Sequence, residues 1–340
     1  MKIAIDAMGG DYAPIETVKG AVIASKSVNA ELVLVGDEEK IKKLLPKNIQ
    51  NISICHTDEY IEMEETPSLA LRKKRKASII VAANLLKNKE VDALISAGNT
   101  GALLETAVLH VGRIKTAKIK RPALSVILPT YKKPTILLDA GANPDCKPEY
   151  LIQFAKMGCT YAKNILGRDN PTVALINIGS EAHKGNAFSQ SAYELLSQSG
   201  INFIGNIESG DVMRGKVDVA VADGFVGNIV LKTAESTAEL INKVTKDIIG
   251  KNPIYLLGVA LIYGVLKKLK IAMDHSEHGG ALLFGIDGIC IKAHGRAKSD
   301  AIFNAIKLAE KMANQDIIRK FAEDMLENNA PNTVGTELTS

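Results

Sequence analysis

The sequence predicts an α/β protein organised around a mostly parallel sheet. Short β-branched, apolar runs alternate with longer stretches of helical pattern, and glycine-containing turns punctuate them. Several runs are apolar at nearly every position, as expected of strands covered on both faces by crossover helices. Residues 2–7 (KIAIDA) open the chain as a strand, followed by a Gly-Gly turn and a helix over 15–27. Residues 31–36 (ELVLVG) repeat the strand pattern, and a helix over 78–87 precedes a third strand at 91–97 (VDALISA). A helix over 101–111 leads to two apolar runs, 122–129 and 135–141, and then to a helix over 149–165. Strands at 172–179, 201–205 and 217–223 are interleaved with helices over 189–199 and 227–249. A strand over 282–293 and a helix over 300–326 complete the pattern, and the residues from Ala330 read as a frayed tail. No repeat, low-complexity linker or compositional break divides the chain. Residues 1–329 are therefore expected to form one interwoven unit, with room for two lobes around a cleft.

Composition excludes several classes of function. With 46% hydrophobic and 24% charged residues, the 340-residue chain is ordinary for a globular protein and can bury a large core. Its 42 basic and 38 acidic residues leave a net charge of +4, too nearly balanced for a general nucleic-acid binder. Trp is absent and aromatics make up 4%, which argues against platforms that stack sugars or bases. Cys55, Cys146, Cys159 and Cys290 are far apart and form no C-x-x-C pair, so a reducing, cytoplasmic setting is expected. The amino terminus reaches Gly9, Gly10 and Asp11 too early for a signal-peptide core. No run has the roughly 20 apolar residues of a membrane-spanning helix.

In sheets of this kind ligands sit beyond the carboxyl ends of strands. Five such loops share one character: DAMGGD (6–11), SAGNTG (96–101), DAGAN (139–143), NIGSE (177–181) and DGFVGN (223–228). Each joins an apolar strand to a turn in which glycine permits close backbone approach and Asn, Thr or Ser offers a short polar group. Residues 96–101 lead into a helix, whose unpaired first amides and positive dipole end suit phosphate, with Asn99 or Thr100 as the cap. No Walker A loop, dinucleotide fingerprint or G-x-S-x-G elbow is present. His183, Lys184 and Gly185 follow the fourth loop and place a cation beside it. His275 and His278 have metal-ligand spacing, but the adjoining Gly279 and Gly280 argue against an ordered helix there, and no metal is expected.

Two further segments stand out. Arg72, Lys73, Lys74, Arg75 and Lys76 concentrate positive charge in an otherwise balanced chain, as a docking surface for an acidic partner would. Residues 254–270 are apolar all round, including Leu256, Leu257, Leu261 and Val265, and end in Lys267, Lys268 and Lys270. That pattern fits a buried or dimer-forming helix, or one lying in the interface of an anionic membrane.

Read in order, the strings IDAMGGD (5–11), SAGNTGAL (96–103), LDAGAN (138–143), FAKMG (154–158), DGFVGNIVLK (223–232), GGALLFG (279–285) and AHG (293–295) resemble the PlsX family of acyl-ACP:phosphate acyltransferases over nearly the whole chain. The chain departs from the family pattern at Ala77, Ser180, His278 and Leu282. The resemblance implies a Rossmann-like α/β/α fold, similar to those of phosphotransacetylases and isocitrate dehydrogenases, in a homodimer without metal or nicotinamide. It also implies transfer of a long-chain acyl group from acyl carrier protein to inorganic phosphate, with no covalent enzyme intermediate. The acyl phosphate would feed a membrane glycerol-phosphate acyltransferase, so a cytoplasmic protein on the inner face of the cell membrane is expected.

Phosphate is already an anion near neutral pH and a thiol is a tolerable leaving group, so alignment and oxyanion stabilisation are the main demands. On that basis Asn99, Thr100 and Gly101 are expected to cradle phosphate and Lys184 to neutralise it. Asn228 would polarise the carbonyl, and Asp223 would orient Lys184 or its loop. Asp6, Gly9, Gly10, Asp11, Asn143, Glu181 and Lys232 are further cleft candidates. Three alternatives stay open: a phosphotransacetylase acting on coenzyme A thioesters, a dehydrogenase of related fold, and a non-catalytic membrane scaffold.

Overall fold

A computed structural model describes residues 1–250 and 279–327, with positions 258, 259, 262, 264 and 265 between them. Most of the apolar segment at 254–270, including Leu256, Leu257 and Leu261, lies outside the described residues, as do His275, His278 and the tail from Ala330. Val265 is described and exposed.

The first wing of the fold follows the expected strand and helix alternation. It comprises β1 (Lys2–Asp6), α1 (Ile15–Ala24), β2 (Glu31–Gly36), α2 (Glu38–Leu44), β3 (Ile52–His56), α3 (Pro67–Lys73), α4 (Ser78–Lys87) and β4 (Ala93–Ser96). α5 (Thr100–Thr106) continues as a π-helical turn to Val111 and leads to β5 (Ala123–Leu128) and β6 (Thr135–Leu138). The second wing holds α6 (Pro148–Leu166), β7 (Val173–Ile176), α7 (Ala187–Ser197), β8 (Phe203–Ile207), α8 (Ser209–Met213) and β9 (Val219–Val221). After α9 (Gly224–Gly250) the described chain resumes with β10 (Ala281–Phe284), β11 (Ile289–Lys292), α10 (Ser299–Asn314) and α11 (Ile317–Glu327).

Among the described residues these strands form one 11-stranded sheet in the order β3-β2-β1-β4-β11-β10-β5-β6-β9-β7-β8. β3, β2, β1, β4 and β11 pair in parallel, as do β6, β9, β7 and β8. The middle is antiparallel, with β11 against β10, β10 against β5 and β5 against β6. An antiparallel neighbour needs only a tight turn, whereas a parallel one needs a crossover. The run expected as a single strand at 282–293 therefore divides into the hairpin β10–β11, turned at Gly285 with φ of +87°. The helix expected over 300–326 likewise breaks into α10 and α11 at Asp316, whose left-handed φ of +51° ends a helical run. β3 and the short helices α2, α3 and α8 carried no recognised signal in the sequence. β3 is a half-buried edge strand, and α2 is announced chiefly by Asp37, which accepts the Lys40 amide at 3.1 Å.

Alternation along the strands divides the core into two layers. Ile3, Ile5, Leu32, Leu34, Ile95 and Ile291 pack beneath α1 and α10, while Ala4, Val35, Leu94 and Cys290 face the α4 side. Each fully buried Leu or Ile is worth about 1.5–3 kcal/mol, so this two-sided burial dominates stability. α1 and α10 cross closely because Gly20 has no side chain: a Cβ there would stand 2.6 Å from that of Ile302. The start of α10 is fixed by Glu16, whose carboxylate accepts the Ser299 amide at 2.7 Å.

Candidate active site at the strand ends

At the carboxyl end of β1, Asp6 is buried and accepts hydrogen bonds from the hydroxyls of Ser78 at 2.6 Å and Ser96 at 2.7 Å. Burial pushes its carboxyl above the usual range, opposed by those hydroxyls and by the Met8 and Gly9 amides. Ser96 in turn accepts the Gly98 amide at 3.0 Å, so one carboxylate joins the loops after β1 and β4. Gly9 must be glycine, since a Cβ would fall 2.4 Å from the Asp6 carboxylate and 2.8 Å from the Gly98 nitrogen. The Asp11 amide donates to the Gly295 carbonyl at 2.9 Å and brings in the loop after β11.

Asn99 caps α5: its Oδ1 accepts the Ala102 amide at 3.1 Å, and its Nδ2 donates to the Met63 and Glu65 carbonyls at 2.8 and 3.2 Å. Both ends of this side chain are thus engaged in building the loop. Gly101 lies under Pro67, at 2.7 Å from where its Cβ would be, and so seats α3 on α5. The exposed Thr100 is the member of the expected phosphate trio whose side chain lines the cavity described below.

Asp139 plays the matching part after β6. It is buried and accepts the amides of Leu124 at 3.0 Å, Ala142 at 2.9 Å and Asn143 at 2.7 Å, as well as the Asn143 side-chain amide at 2.8 Å. Its carboxyl is raised by burial despite these donors. Asn143, with its Nδ2 also on the Pro122 carbonyl at 2.7 Å, is therefore a buried organiser of the loop. α9 docks against this loop through glycines: a Cβ on Gly227 would lie 2.0 Å from the Asp139 carbonyl oxygen. Asp223 caps α9 by accepting the Val226 amide at 2.7 Å.

Between the two loop systems lies a cavity of about 660 Å³. Its floor is the antiparallel middle of the sheet, with Leu124, Val126, Ala281 and Lys292, and its wall is the face of α9 that carries Asn228, Lys232 and Glu235. Thr100, Asp11, Gly141, His294 and Arg296 complete the rim. Such a crevice, where strand direction and order change, is the expected ligand position for this architecture. Lys292 is buried at its base, its Nζ donating to the carbonyls of Ala293 and, at 3.3 Å, Ala97. Burial, followed by the neighbouring Lys232 charge, lowers its ammonium to about 8, against the pull of Asp6, Asp11 and Glu235. Lys232 pairs with Glu235 at 2.7 Å, and Arg296 stands 3.9 Å from both Asp11 and Glu239. Lys232, Lys292 and Arg296 line the cavity together with the carboxylates of Asp11, Glu235 and Glu239, and Thr100 at the start of α5 is on its lining.

The cavity brings together Asp11, Thr100, Asn228 and Lys232, while Asp6, Gly9, Gly10, Asn99, Gly101 and Asn143 shape the loops around it. Lys184 does not line it. Its ammonium lies 3.9 Å from Glu181 at the start of the 181–186 turn, and Glu181 accepts the Asn206 side chain through its carbonyl, on the far side of β9. Asp223 is engaged as the cap of α9. Lys292, His294 and Arg296 were missed. A lysine inside the apolar run ICIKA (289–293) was the available signal. In the basic run Arg72, Lys73, Arg75 and Lys76 are exposed, but Lys74 is tied to Glu65 at 2.6 Å and to the Tyr60 carbonyl at 2.8 Å. Among the described residues no group of three His, Cys, Asp or Glu side chains could hold a metal, and no helix is long and apolar enough to cross a membrane.

The fold, with its cavity at the carboxyl ends of the strands, defines a Rossmann-like α/β/α class of protein. Solved structures of this shape include a phosphotransacetylase from Streptococcus pyogenes, with a TM-score of 0.62 and 15% identity over 94% of both chains. A branched-chain phosphotransacylase from Enterococcus faecalis V583 is similar at a TM-score of 0.56 and 14% identity, covering 92% of this chain and 99% of that one. The chain itself belongs to the PlsX family: residues 1–320 match the model of the fatty acid synthesis protein family. It is 50% identical over 331 residues to a phosphate acyltransferase of Dictyoglomus turgidum, covering 96% of this chain and 98% of the relative. A phosphate acyltransferase of Synechocystis sp. is 48% identical over 325 residues, covering 94% and 92%.

The buried lysine gives this site a pH signature. Lys292 is charged below about 8 and neutral above it, so its attraction for an anion is present at lower pH and lost as pH rises through that value. Calorimetric titration with sulfate, which does not titrate in this range, should show affinity falling about tenfold per pH unit above about pH 8 until the charge is gone. Lys292→Arg, charged throughout, should bind without that fall; a wild-type affinity flat from pH 7 to 9.5, roughly, would remove Lys292 from the anion site.

Proposed function

We propose that the chain transfers a long-chain acyl group from acyl carrier protein to inorganic phosphate, giving acyl phosphate for phospholipid synthesis. The observation that carries this reading is the meeting, in one cavity, of the α5 amino terminus, the cations Lys232 and Lys292, and the side-chain amide of Asn228. The relatives' shared name, phosphate acyltransferase, agrees with it.

In the reaction an oxygen of monohydrogen phosphate attacks the thioester carbonyl carbon and forms the new C–O bond. The carbonyl electrons move onto oxygen, and collapse of that oxyanion breaks the C–S bond. The thiolate leaves with the electron pair and takes the proton that phosphate brought, so acyl phosphate and free thiol balance the equation. Lys232 and Lys292 hold phosphate beside Thr100, and Asn228 donates to the developing oxyanion, the step at which fixed donors contribute most. No enzyme nucleophile is required. Cys146, the thiol nearest the Asp139 loop, is pushed up to about 12 by burial and then by Asp139, so it is not a thiolate at neutral pH.

Carrier-protein docking is assigned to Arg72 and Lys73 at the end of α3 and to Arg75 and Lys76 just beyond it; α3 rests on α5 through Pro67 and Gly101. Exposed Leu240, Ile241, Val244 and Ile248 on α9 suit coverage by a second copy in a homodimer. A membrane glycerol-phosphate acyltransferase would consume the product, which favours a cytoplasmic protein held at the inner face of the membrane.

Purified protein given palmitoyl-ACP and phosphate should release ACP thiol only when phosphate is present, with palmitoyl-CoA a poorer donor. Preference for the CoA thioester would turn the reading to a phosphotransacetylase, and a folded but inert sample would sink acyl transfer. Charge reversal at Arg72 and Arg75 should raise the KM for acyl-ACP several-fold, roughly tenfold at low salt, with kcat kept. An unchanged KM would take docking away from this helix.

A further inference from the structure

Beside the anion-binding cavity lies a second one, of about 710 Å³, between α9, α8 and the turn that joins β5 to β6. Its walls are apolar: Leu128, Met213, Ile229, Val230, Ala234 and Ala238 form most of them. Glu235 is the one charged group on its lining, and that carboxylate is at the rim, paired with Lys232 at 2.7 Å. The hydroxyls of Thr130, Tyr131, Ser209, Thr233 and Thr237 are its other polar side-chain groups. Nothing in this lining would recognise an anion or a base.

The two cavities adjoin in two respects. Leu231 and Glu235 line both. They share a floor as well, because side chains two apart on a strand face the same way. Leu124 and Val126 of β5 lie under the first cavity, and Leu128 lies under the second. Leu231, 8% exposed, stands between the polar chamber and the apolar one.

We propose that the second cavity is the subsite for the hydrocarbon chain of the acyl donor. The thioester carbonyl sits beside Asn228 in the first cavity, and the chain runs past Leu231 along the β5 floor into the groove under α9. This assignment rests on the acyl-transfer reading of the first cavity. Its volume falls within the range of small-molecule sites, about 300–1,000 Å³, and its lining matches an unbranched alkyl chain. Each buried methylene should then strengthen binding about fourfold until the groove is filled.

Ala234→Trp and Ala238→Trp place an indole in the groove from half-buried helix positions that do not line the first cavity. Phosphate-dependent thiol release is measured with hexanoyl-ACP and palmitoyl-ACP. The variants should lose roughly tenfold or more in kcat/KM for the palmitoyl donor and stay within about twofold of wild type for the hexanoyl donor. Equal losses on both donors, or none on either, would overturn the assignment. A change of sedimentation coefficient together with equal losses would give the groove to a second copy of the chain instead. Binding of palmitate by calorimetry separates this proposal from the catalytic one. Wild type should bind it and both variants should not, even if no donor is turned over; palmitate binding that neither tryptophan weakens would defeat the subsite.

Discussion

Two carboxylates taken out of water, Asp6 and Asp139, hold the ends of the central strands in place. Each is buried and raised by that burial; Asp6 takes hydroxyl donors from Ser78 and Ser96, far away in sequence, while Asp139 takes the Leu124 amide of β5 and the amides of its own following loop. A buried carboxylate without donors costs several kcal/mol, on the order of the whole stability of a domain, so the loops must close around these groups for the chain to fold. Asp6 gathers β1, β4 and α4; Asp139 gathers β5, β6 and the loop on which α9 docks. The cavity is the space left between these two knots. Glycines at 9, 98 and 227 let the backbones approach without side chains in the way.

The antiparallel centre of the sheet follows from the same geometry. Turning β10 back on β11 brings Lys292 up through an otherwise apolar floor, where its ammonium donates hydrogen bonds to the Ala97 and Ala293 carbonyls. A lysine there is costly below about pH 8, when it is charged, unless an anion joins it. α9 then serves two chambers with two of its faces, polar towards Asn228 and Lys232 and apolar towards Ala234 and Ala238.

Much of this was legible in the sequence. The strand-end loops announced themselves by glycine next to short polar residues, and the family strings located them in order. Asn228, Thr100, Lys232 and Asp11 do meet in space. Lys184 stands apart from this cavity, because adjacency to a polar loop says nothing about which side of the sheet order that loop occupies. β7 lies beyond β9, and the cavity lies before it. The hairpin β10–β11 was hidden for a related reason: residues 282–293 are apolar enough to read as one strand, and only Gly285 in the left-handed region divides them. Asn99 and Asn143 look like ligand-binding residues in the sequence, yet their side chains are consumed by capping and loop hydrogen bonds.

A crystal grown with thiophosphate tests the position of phosphate most directly, through the anomalous signal of sulfur. The anion should lie between Thr100 at the start of α5 and the ammonium groups of Lys232 and Lys292, next to Asn228. Density at the 177–184 turn beside Lys184, with the cavity over β5 and β11 left without it, would contradict this account.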